Sequence, residues 1–244
     1  MNKEAKVLEF ITAARTDVGT VREVNEDAFI ANPEDKLWAV ADGMGGHHVG
    51  DVASNKVIAA LDEIRARQSL ADYARYVEDV LHSVNFDIVE FARENFGDAT
   101  MGTTLCCMLA SKTAGACIWI GDSRLYRLRH GKLDQLSTDH SQVQEMLDMG
   151  LLNEDEAKNH PNGNVITRAV GVEEELYPEV TVFSIERGDC FLICSDGLYG
   201  AVDESFMADQ MSSSAANDCV DNLIEKALAE GANDNVTVIV VDVN

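Results

Sequence analysis

The sequence predicts an α+β fold in which antiparallel β-sheets are layered and covered by helices. Short apolar runs bounded by turn residues predict strands, and several of these runs follow one another directly, as they do in antiparallel sheets. The predicted helices come as a pair rather than alternating with strands, which argues against βαβ units. The chain has 244 residues, of which 46% are hydrophobic, so it can bury a sizeable core.

The first hundred residues contain strands followed by two helices. A turn at Asn32-Pro33-Glu34-Asp35 separates two apolar runs, which indicates a hairpin. Ser69 is a typical N-cap residue, with Asp72 in the first turn of the helix that it opens. In chain order we predict an edge strand at 8–16, paired strands at 26–31 and 37–41, a helix over 49–67 and a second helix from Ser69 to near Gly97.

The rest of the chain is richer in strands and contains one irregular segment. Residues 138–171 hold only short helical pieces, at 142–149 and 153–158, which is typical of a mobile functional loop. No linker or repeat divides the sequence, so we expect one domain over 1–244 with a flap-like loop at about 138–171. In chain order we predict an antiparallel meander of strands at 103–109, 114–120 and 125–129, strands at 180–185 and 190–195, a short helix opened by Asp203 and Glu204, a helix over 215–230 and a final strand at 236–241.

The formal net charge of −24 limits the classes of partner. An acidic surface repels nucleic acid and anionic membranes, and it favours cations and basic protein surfaces. No apolar run is as long as a membrane span, and the first residues lack the apolar region of a signal peptide. We therefore expect a cytoplasmic protein that neither binds nucleic acid nor inserts into a membrane.

The six cysteines do not form a metal-binding or redox motif. None of them belongs to a Cys-x-x-Cys pair, and their spacing to histidines does not suit zinc. Most lie inside apolar runs, where a thiol behaves as a small hydrophobic group. We expect reduced core residues in a reducing compartment.

Four aspartates share one local context: each lies in a glycine- or asparagine-rich turn that borders an apolar strand. An ordinary Asp-Gly turn explains any one of them, but several carboxylates gathered in one place require a neutralising cation. Oxygen ligands favour Mg²⁺ or Mn²⁺ over zinc. The neighbouring pair His47-His48 is more often incidental than ligating. The four aspartates are Asp42, Asp122, Asp196 and Asp234, and Glu26-Asp27 adds two further carboxylates.

Seven short motifs occur in one order along the chain. They are Arg22…Glu26-Asp27, Asp42-Gly43-Met44-Gly45-Gly46, Met101-Gly102-Thr103-Thr104, Gly121-Asp122-Ser123-Arg124, Thr138-Asp139-His140-Ser141, Ser195-Asp196-Gly197 and Asn233-Asp234-Asn235-Val236-Thr237. Together they resemble the bacterial branch of the metal-dependent Ser/Thr protein phosphatases, the type 2C or PPM family. The resemblance extends from about residue 12 to residue 243.

The resemblance implies a four-layer α-β-β-α sandwich with two central antiparallel sheets flanked by helices, and a centre with two Mn²⁺ or Mg²⁺ ions and a weaker third. It implies that Asp42 bridges the two ions and that Arg22 binds the substrate phosphate. The remaining implied ligands are the Gly43 carbonyl, Asp196 and Asp234 at the core ions, Glu26 and Asp27 directly or through water, and Asp122 at the third ion.

The activity implied is hydrolysis of phosphoserine and phosphothreonine in proteins by a metal-activated water, in opposition to a Ser/Thr kinase. Two ions about 3.5–4 Å apart bind phosphoryl oxygens and lower the pKa of a bridging water, so a cysteine nucleophile is not needed. Partners would be phosphoproteins and a cognate kinase, with the enzyme itself a monomer. Because compact stand-alone members of the family occur in kinase–phosphatase pairs that control a secretion apparatus, the resemblance also suggests that setting.

Other interpretations stay open at this point. A small-molecule phosphomonoesterase would use the same site, and a phosphoprotein-binding pseudophosphatase would be expected to lack metal ligands. Asp122 and Asp234 could simply cap turns, and Arg22 could pair with Glu26. Two departures from the family pattern concern the third ion and the loop: Gly200 stands where many relatives carry an acidic residue, and residues 160–164 include no Lys or Arg.

Overall fold

The computed structural model describes residues 8–45, 49–97, 100–158 and 160–244, so His47 and His48 lie outside the described residues. The strands are β1 (Phe10–Asp17), β2 (Asp27–Asn32), β3 (Leu37–Gly45), β4 (Met101–Thr103), β5 (Leu105–Ala110), β6 (Ala114–Ile120), β7 (Arg124–Arg129), β8 (Lys132–Gln135), β9 (Glu179–Ser184), β10 (Cys190–Cys194) and β11 (Val236–Val243). The helices are α1 (Gly50–Asp62), α2 (Leu70–Phe96), α3 (Gln142–Asp148), α4 (Glu154–Lys158), α5 (Asp196–Tyr199), α6 (Glu204–Ser213) and α7 (Ala216–Ala229).

The strands form two antiparallel sheets. The first has the order β1-β11-β10-β7-β8, and the second has the order β2-β3-β5-β6-β9, with β4 paired to the end of β3. The predicted edge strand and the predicted hairpin are both confirmed, since β1 lies at an edge and β2 pairs with β3. The N-cap is confirmed too, because the Ser69 hydroxyl accepts a hydrogen bond from the Asp72 amide.

Three apolar clusters divide the molecule into four layers. One cluster joins α1 and α2 to the second sheet, and another joins α5, α6 and α7 to the first sheet. The third lies between the two sheets and includes Trp38, Cys106, Phe191 and Ile239. The α-β-β-α sandwich is therefore confirmed, with its helices on the outside and its sheets face to face.

Alternation along the strands determines what faces the space between the sheets. In β3, Leu37 and Ala39 contact the helices, whereas Trp38 and Val40 face the other sheet. Because side chains in a strand alternate with period two, Asp42 continues the Trp38–Val40 row. The apolar layer between the sheets therefore ends in a carboxylate.

The other strands around this end follow the same pattern. In β11, Thr237 lies on the same face as Ile239 and Val241 and precedes them. Directly after β10, Ser195 continues the row of Phe191 and Ile193. All of these end positions are polar and lie on one side of the molecule. They form the wall of the site described below.

Three local expectations are wrong in detail. The strands at 114–120 and 125–129 do not continue one meander, because β6 belongs to the second sheet and β7 to the first. The helix predicted over 49–67 ends at Asp62. Asp196 does not close a turn but begins the four-residue helix α5.

The prediction that the cysteines lie in the core is confirmed, because all six thiols are buried and none is paired in a disulfide. Within the described ranges, none of the helices combines the length and the apolar character that crossing a bilayer requires.

The segment 138–171 contains α3 and α4 and is anchored to the body of the protein near its two ends. Within the segment Ser141 forms an isolated bridge with Ile166, and near its end Val170 forms another with Thr103 of β4. In α3 only Val143 is buried, and the side chains of Met149 and Leu151 are 71% and 68% exposed. The part between the two anchored ends is lightly packed, and it lies within the segment that the sequence predicts to be a flap.

We expect the amides of 141–157 to exchange hydrogen faster than those of β10, which is buried and paired on both sides. Segments with few buried contacts open locally, whereas central strands exchange only through larger unfolding events. Hydrogen–deuterium exchange with mass spectrometry measures the difference, with α7 as a protected helical control. Equal protection of α3 and α7 would contradict a mobile flap.

Candidate metal centre

Four aspartates from distant parts of the chain meet at the polar end of the layer between the sheets. Asp27 and Asp42 are direct cross-strand partners in β2 and β3. Asp122 follows β6, and Asp196 follows β10 in the opposite sheet. Asp27 and Asp122 are buried, and Asp42 and Asp196 are half-buried. Like charges placed opposite one another destabilise a sheet, so this arrangement costs free energy unless the charges are neutralised.

The pKa values of these carboxyl groups show that cost. Loss of water on burial raises the pKa of Asp27 to about 6, and repulsion by the charge of Asp234 raises it as well. Burial raises the pKa of Asp196 to about 6 and that of Asp122 to about 7, and in both cases neighbouring carboxylates add to the shift. The pKa of Asp42 lies well above its usual value through burial and then through repulsion by Asp27 and Asp196. The site therefore attracts positive charge.

The backbone of Asp42 is held on both sides by two threonines. The Asp42 amide donates to the Thr104 hydroxyl at 3.1 Å, and the Thr104 amide donates to the Asp42 carbonyl at 2.8 Å. The Thr103 hydroxyl donates to the same carbonyl at 2.9 Å. These bonds fix the backbone of Asp42 at the end of the sheet.

Asp27 is fixed by hydroxyl groups of the opposite sheet. Its Oδ2 accepts hydrogen bonds from Ser195 at 2.8 Å and from Thr237 at 2.6 Å. Its Oδ1, like Oδ1 of Asp196, is buried and receives no hydrogen bond from any described residue. A buried carboxylate oxygen without a donor is a position for a proton or a cation.

Glu26 connects the site to α1. Its carboxylate accepts a hydrogen bond from the Gly50 amide at 3.1 Å, and its backbone carbonyl accepts one from Ser54. Gly43 lies against these groups: a Cβ there would be 2.3 Å from the Gly50 carbonyl oxygen and 2.5 Å from the Glu26 carbonyl oxygen. Glycine at position 43 is therefore required by the close approach of the two backbone segments.

Asn235 is a supporting residue that the sequence did not single out. Its side-chain oxygen accepts from the Glu26 amide at 2.8 Å, and its side-chain amide donates to the carbonyls of Val18 and Val24. One side chain thus attaches the 18–26 segment to the start of β11. The residue belongs to the motif around Asp234, but its partners lie more than 200 positions away and could not be identified from spacing.

Arg22 pairs with Asp234 and not with Glu26. Its Nε and Nη2 donate to the two oxygens of Asp234 at 2.9 and 2.7 Å. This bidentate pair raises the pKa of Arg22, and the charges of Glu26 and Asp42 contribute to the same direction. The guanidinium is about half exposed and therefore faces the mouth of the site.

Asp122 is supported by an aromatic and ionic cluster. The Tyr199 hydroxyl donates to the Asp122 carbonyl at 3.1 Å, and the Arg124 guanidinium lies 3.6 Å from the centre of the Tyr199 ring. Arg124 also forms a bidentate ion pair with Asp139. Gly200 follows Tyr199 and lines a cavity of about 190 Å³ beside Asp196, so the absence of an acidic side chain there leaves open space.

His140 has a structural position. Its Nδ1 accepts a hydrogen bond from the Gly121 amide at 3.1 Å, and its ring stacks on Trp119. Burial lowers its pKa. The residue therefore connects the start of the 138–171 segment to the turn that carries Asp122.

The donor set fits hard divalent cations, although among the described residues no three His, Cys, Asp or Glu side chains form a complete metal-binding group. Asp234 is bonded to Arg22 instead, and the Glu26 carboxylate is bonded to the Gly50 amide. The groups that converge offer oxygen atoms, which Mg²⁺ and Mn²⁺ prefer. Oδ1 of Asp27 and Oδ1 of Asp196 receive no hydrogen bond from the described residues, so they are the oxygens that a cation would bind.

Known proteins are similar over nearly the whole chain. A family model described as protein phosphatase 2C matches residues 16–236. The serine/threonine phosphatase stp of Listeria welshimeri is 36% identical over 238 residues, which cover 94% of each chain. The structure of PppA, described as a key regulatory component of T6SS in Pseudomonas aeruginosa, is 42% identical with a TM-score of 0.91 and covers 98% of this chain and 99% of that one. The catalytic domain of the serine/threonine phosphatase PstP in complex with two manganese ions is 36% identical with a TM-score of 0.87 and covers 97% of this chain and 99% of that one.

Replacing Asp196 by Asn should stabilise the metal-free protein at pH 7.5. A carboxyl whose pKa is raised on folding destabilises the fold once the pH exceeds its unfolded value, and the full cost is reached above its folded pKa of about 6. We expect Asp196→Asn to gain about 1–2 kcal/mol at pH 7.5, since partial exposure screens part of the cost, and to gain almost nothing near pH 4. Urea unfolding in the presence of a chelator measures the difference.

The matched control is Asp79→Asn, which removes the same charge from an exposed position on α2. It corrects for the general effect of reducing a net charge of −24. An equal gain in the two variants at pH 7.5 would show that the repulsion is not local to the site.

Proposed function

Because the chain belongs to the protein phosphatase 2C family, we propose that it is a Mn²⁺- or Mg²⁺-dependent enzyme that hydrolyses phosphoserine and phosphothreonine in proteins. The observation that carries the proposal is the convergence of Asp27, Asp42, Asp122 and Asp196 at one end of the layer between the sheets. Such a cluster destabilises the fold at neutral pH unless positive charge is added. The similarity to PstP, which binds two manganese ions, supports the same conclusion.

The residues proposed to hold the two core ions are Asp42, the Gly43 carbonyl, Asp196 and Asp234, with Glu26 and Asp27 acting directly or through water. Asp122 would hold a weaker third ion, for which Gly200 provides no extra carboxylate. When bound, these ions supply the positive charge that attracts a phosphate dianion and the acidity that activates a water molecule. Because the raised pKa values favour the protonated forms of these carboxyl groups, cation binding would compete with protons at the site.

Arg22 is proposed to bind the substrate phosphate. Its planar guanidinium donates two parallel hydrogen bonds, which match phosphate as well as carboxylate. In the structure those donors are used by Asp234, so binding of a cation by Asp234 would release them toward the substrate. The guanidinium then holds the phosphoryl group at the mouth of the site.

The cysteines do not provide a nucleophile. All six thiols are buried. Burial raises the pKa of Cys194, which is next to Ser195 in the site wall, so its thiol stays protonated. Hydrolysis by water without a phosphoenzyme is the route that these residues support.

The cellular setting is part of the same proposal. We infer a monomeric, cytoplasmic enzyme that opposes a Ser/Thr kinase, with residues 138–171 acting as a flap over the substrate within a single domain. The similarity to PppA makes control of a secretion apparatus one setting to test. The acidic surface, with a net charge of −24, supports protein partners over nucleic acid.

Phosphate release from a phosphothreonine peptide should require Mn²⁺ or Mg²⁺ and should stop in excess EDTA. We expect Asp42→Ala, Asp196→Ala and Asp234→Ala each to lower kcat/KM by about 100-fold or more, because each removes a proposed ligand of a catalytic ion. Malachite-green detection of phosphate measures the rates. Activity that persists in EDTA, or in all three variants, would refute the metal mechanism.

Arg22→Ala should raise KM for the phosphopeptide by about tenfold or more, because two charge-assisted hydrogen bonds to phosphate are lost. Arg22→Lys keeps the charge but not the fork and should fall between the wild type and Arg22→Ala. Steady-state kinetics at saturating Mn²⁺ separate KM from kcat. An unchanged KM in both variants would remove the phosphate-binding role.

A further inference from the structure

A second concave surface lies beside the metal centre and has no role in the chemistry described above. It is a cavity of about 110 Å³ between the end of β3 and the chain that leaves the flap, and we call it the 166–177 groove. A single water molecule needs only about 10–15 Å³ of such space, so the groove has room for a side chain. Its lining includes Met44, Ile120, Val172 and Leu176.

The groove lies close to the proposed phosphate position. Met44 is two residues beyond Asp42 on the same face of β3, and strand residues advance about 3.3 Å each. The Met44 side chain approaches Gly102, where Val172 also lies, so one end of the groove is about 7 Å along the strand from Asp42. An extended substrate peptide would reach it two or three residues away from its phosphoresidue.

The wall of the groove is held in place by a buried asparagine. Asn85 is 1% exposed, and its side-chain amide donates to the carbonyls of Glu173 and Glu174 at 2.9 and 3.3 Å. Its side-chain oxygen accepts from the Gly171 amide at 2.7 Å. The 171–174 backbone is thereby fixed to α2, so the groove does not have to be ordered by a ligand.

The floor of the groove is apolar and its rim is acidic. Ile120 and Leu176 are buried at the floor, whereas Val172 and Tyr177 are 42% and 62% exposed at its edge. Glu173 and Glu175 line the rim. Arg168 also lines the groove, but its guanidinium is already paired with Glu179 at 3.1 Å. The net charge that the rim offers is therefore negative.

Resting on the proposed phosphatase function, we propose that the 166–177 groove binds a lysine or arginine side chain two or three residues from the phosphoresidue of the substrate protein. The aliphatic stem lies on Met44, Val172 and Leu176, and the charged end reaches Glu173 and Glu175, as long basic side chains do at apolar surfaces with a charged edge. The phosphatase therefore selects basic phosphorylation sites.

The test uses phosphothreonine peptides that differ at one position. Arg, Gln or Glu is placed at −3, −2, +2 or +3 in an otherwise constant sequence, and kcat and KM are measured with Mn²⁺. At one or more of these positions we expect the Arg peptide to exceed the Gln peptide in kcat/KM by about three- to tenfold, through KM, and the Glu peptide to be poorest. The preference should shrink as NaCl is raised.

The double variant Glu173→Gln/Glu175→Gln should lose the preference for Arg while still hydrolysing the Gln peptide. The matched control is Glu174→Gln, because Glu174 lies between the two but is bonded to Arg93 at 3.0 Å and does not line the groove. Equal kcat/KM for all peptides in the wild type, or a preference that survives in the double variant, would overturn the groove proposal. If the folded, Mn²⁺-loaded wild type hydrolyses none of the peptides, the proposed function fails instead.

Discussion

The fold depends on a layer between two sheets that is apolar along most of its length and acidic at one end. The apolar rows are needed to hold the sheets together, and the same alternation that places Trp38 and Val40 in the layer places Asp42 at its edge. Asp27 stands directly opposite Asp42, so the two charges repel across one strand pair. Stability and function are therefore opposed at this edge: the carboxylates weaken the metal-free fold and at the same time create the affinity for cations.

Hydrogen bonds from uncharged side chains hold the carboxylates in place against this repulsion. Thr103 and Thr104 bind the backbone of Asp42, Ser195 and Thr237 bind Asp27 across the layer, and Asn235 attaches the segment of Glu26 to the opposite sheet. Most of these groups bind backbone or one carboxylate oxygen and leave other oxygens free. A framework of this kind fixes geometry without cancelling the charge, which is what a preorganised cation site requires.

Much of the fold could be predicted from the sequence, because the apolar rows of the strands and of α2 have clear periods and Ser69 is a strong cap. The crossing from β6 to β7 could not, since alternation shows which residues face a core but not which of two stacked sheets a strand joins. The apolar spacing does not show the early end of α1, because Ile64 continues that spacing. In the structure the Ile64 amide donates to the carbonyl of Leu61, three residues before it, as in the tighter turn that ends a helix. Asp42, Asp122 and Asp196 can be recognised from their strand-end contexts, whereas the pairing of Arg22 with Asp234, 212 positions apart, depends on the tertiary fold.

The chemistry proposed for the metal centre does not distinguish one phosphoprotein from another, so selectivity has to come from the surface around it. A phosphoprotein that approaches a chain with a net charge of −24 brings a phosphate dianion toward an acidic surface, where the metal-loaded centre and Arg22 are the groups proposed to attract it. Basic residues beside the phosphate change this balance, because they are attracted by the same surface that repels the phosphate. The rim at Glu173 and Glu175 places that attraction at the groove that begins at Met44, two residues beyond Asp42 on β3. The acidity of the chain, which disfavours nucleic acid through charge repulsion, thus also favours phosphorylated segments that carry basic residues.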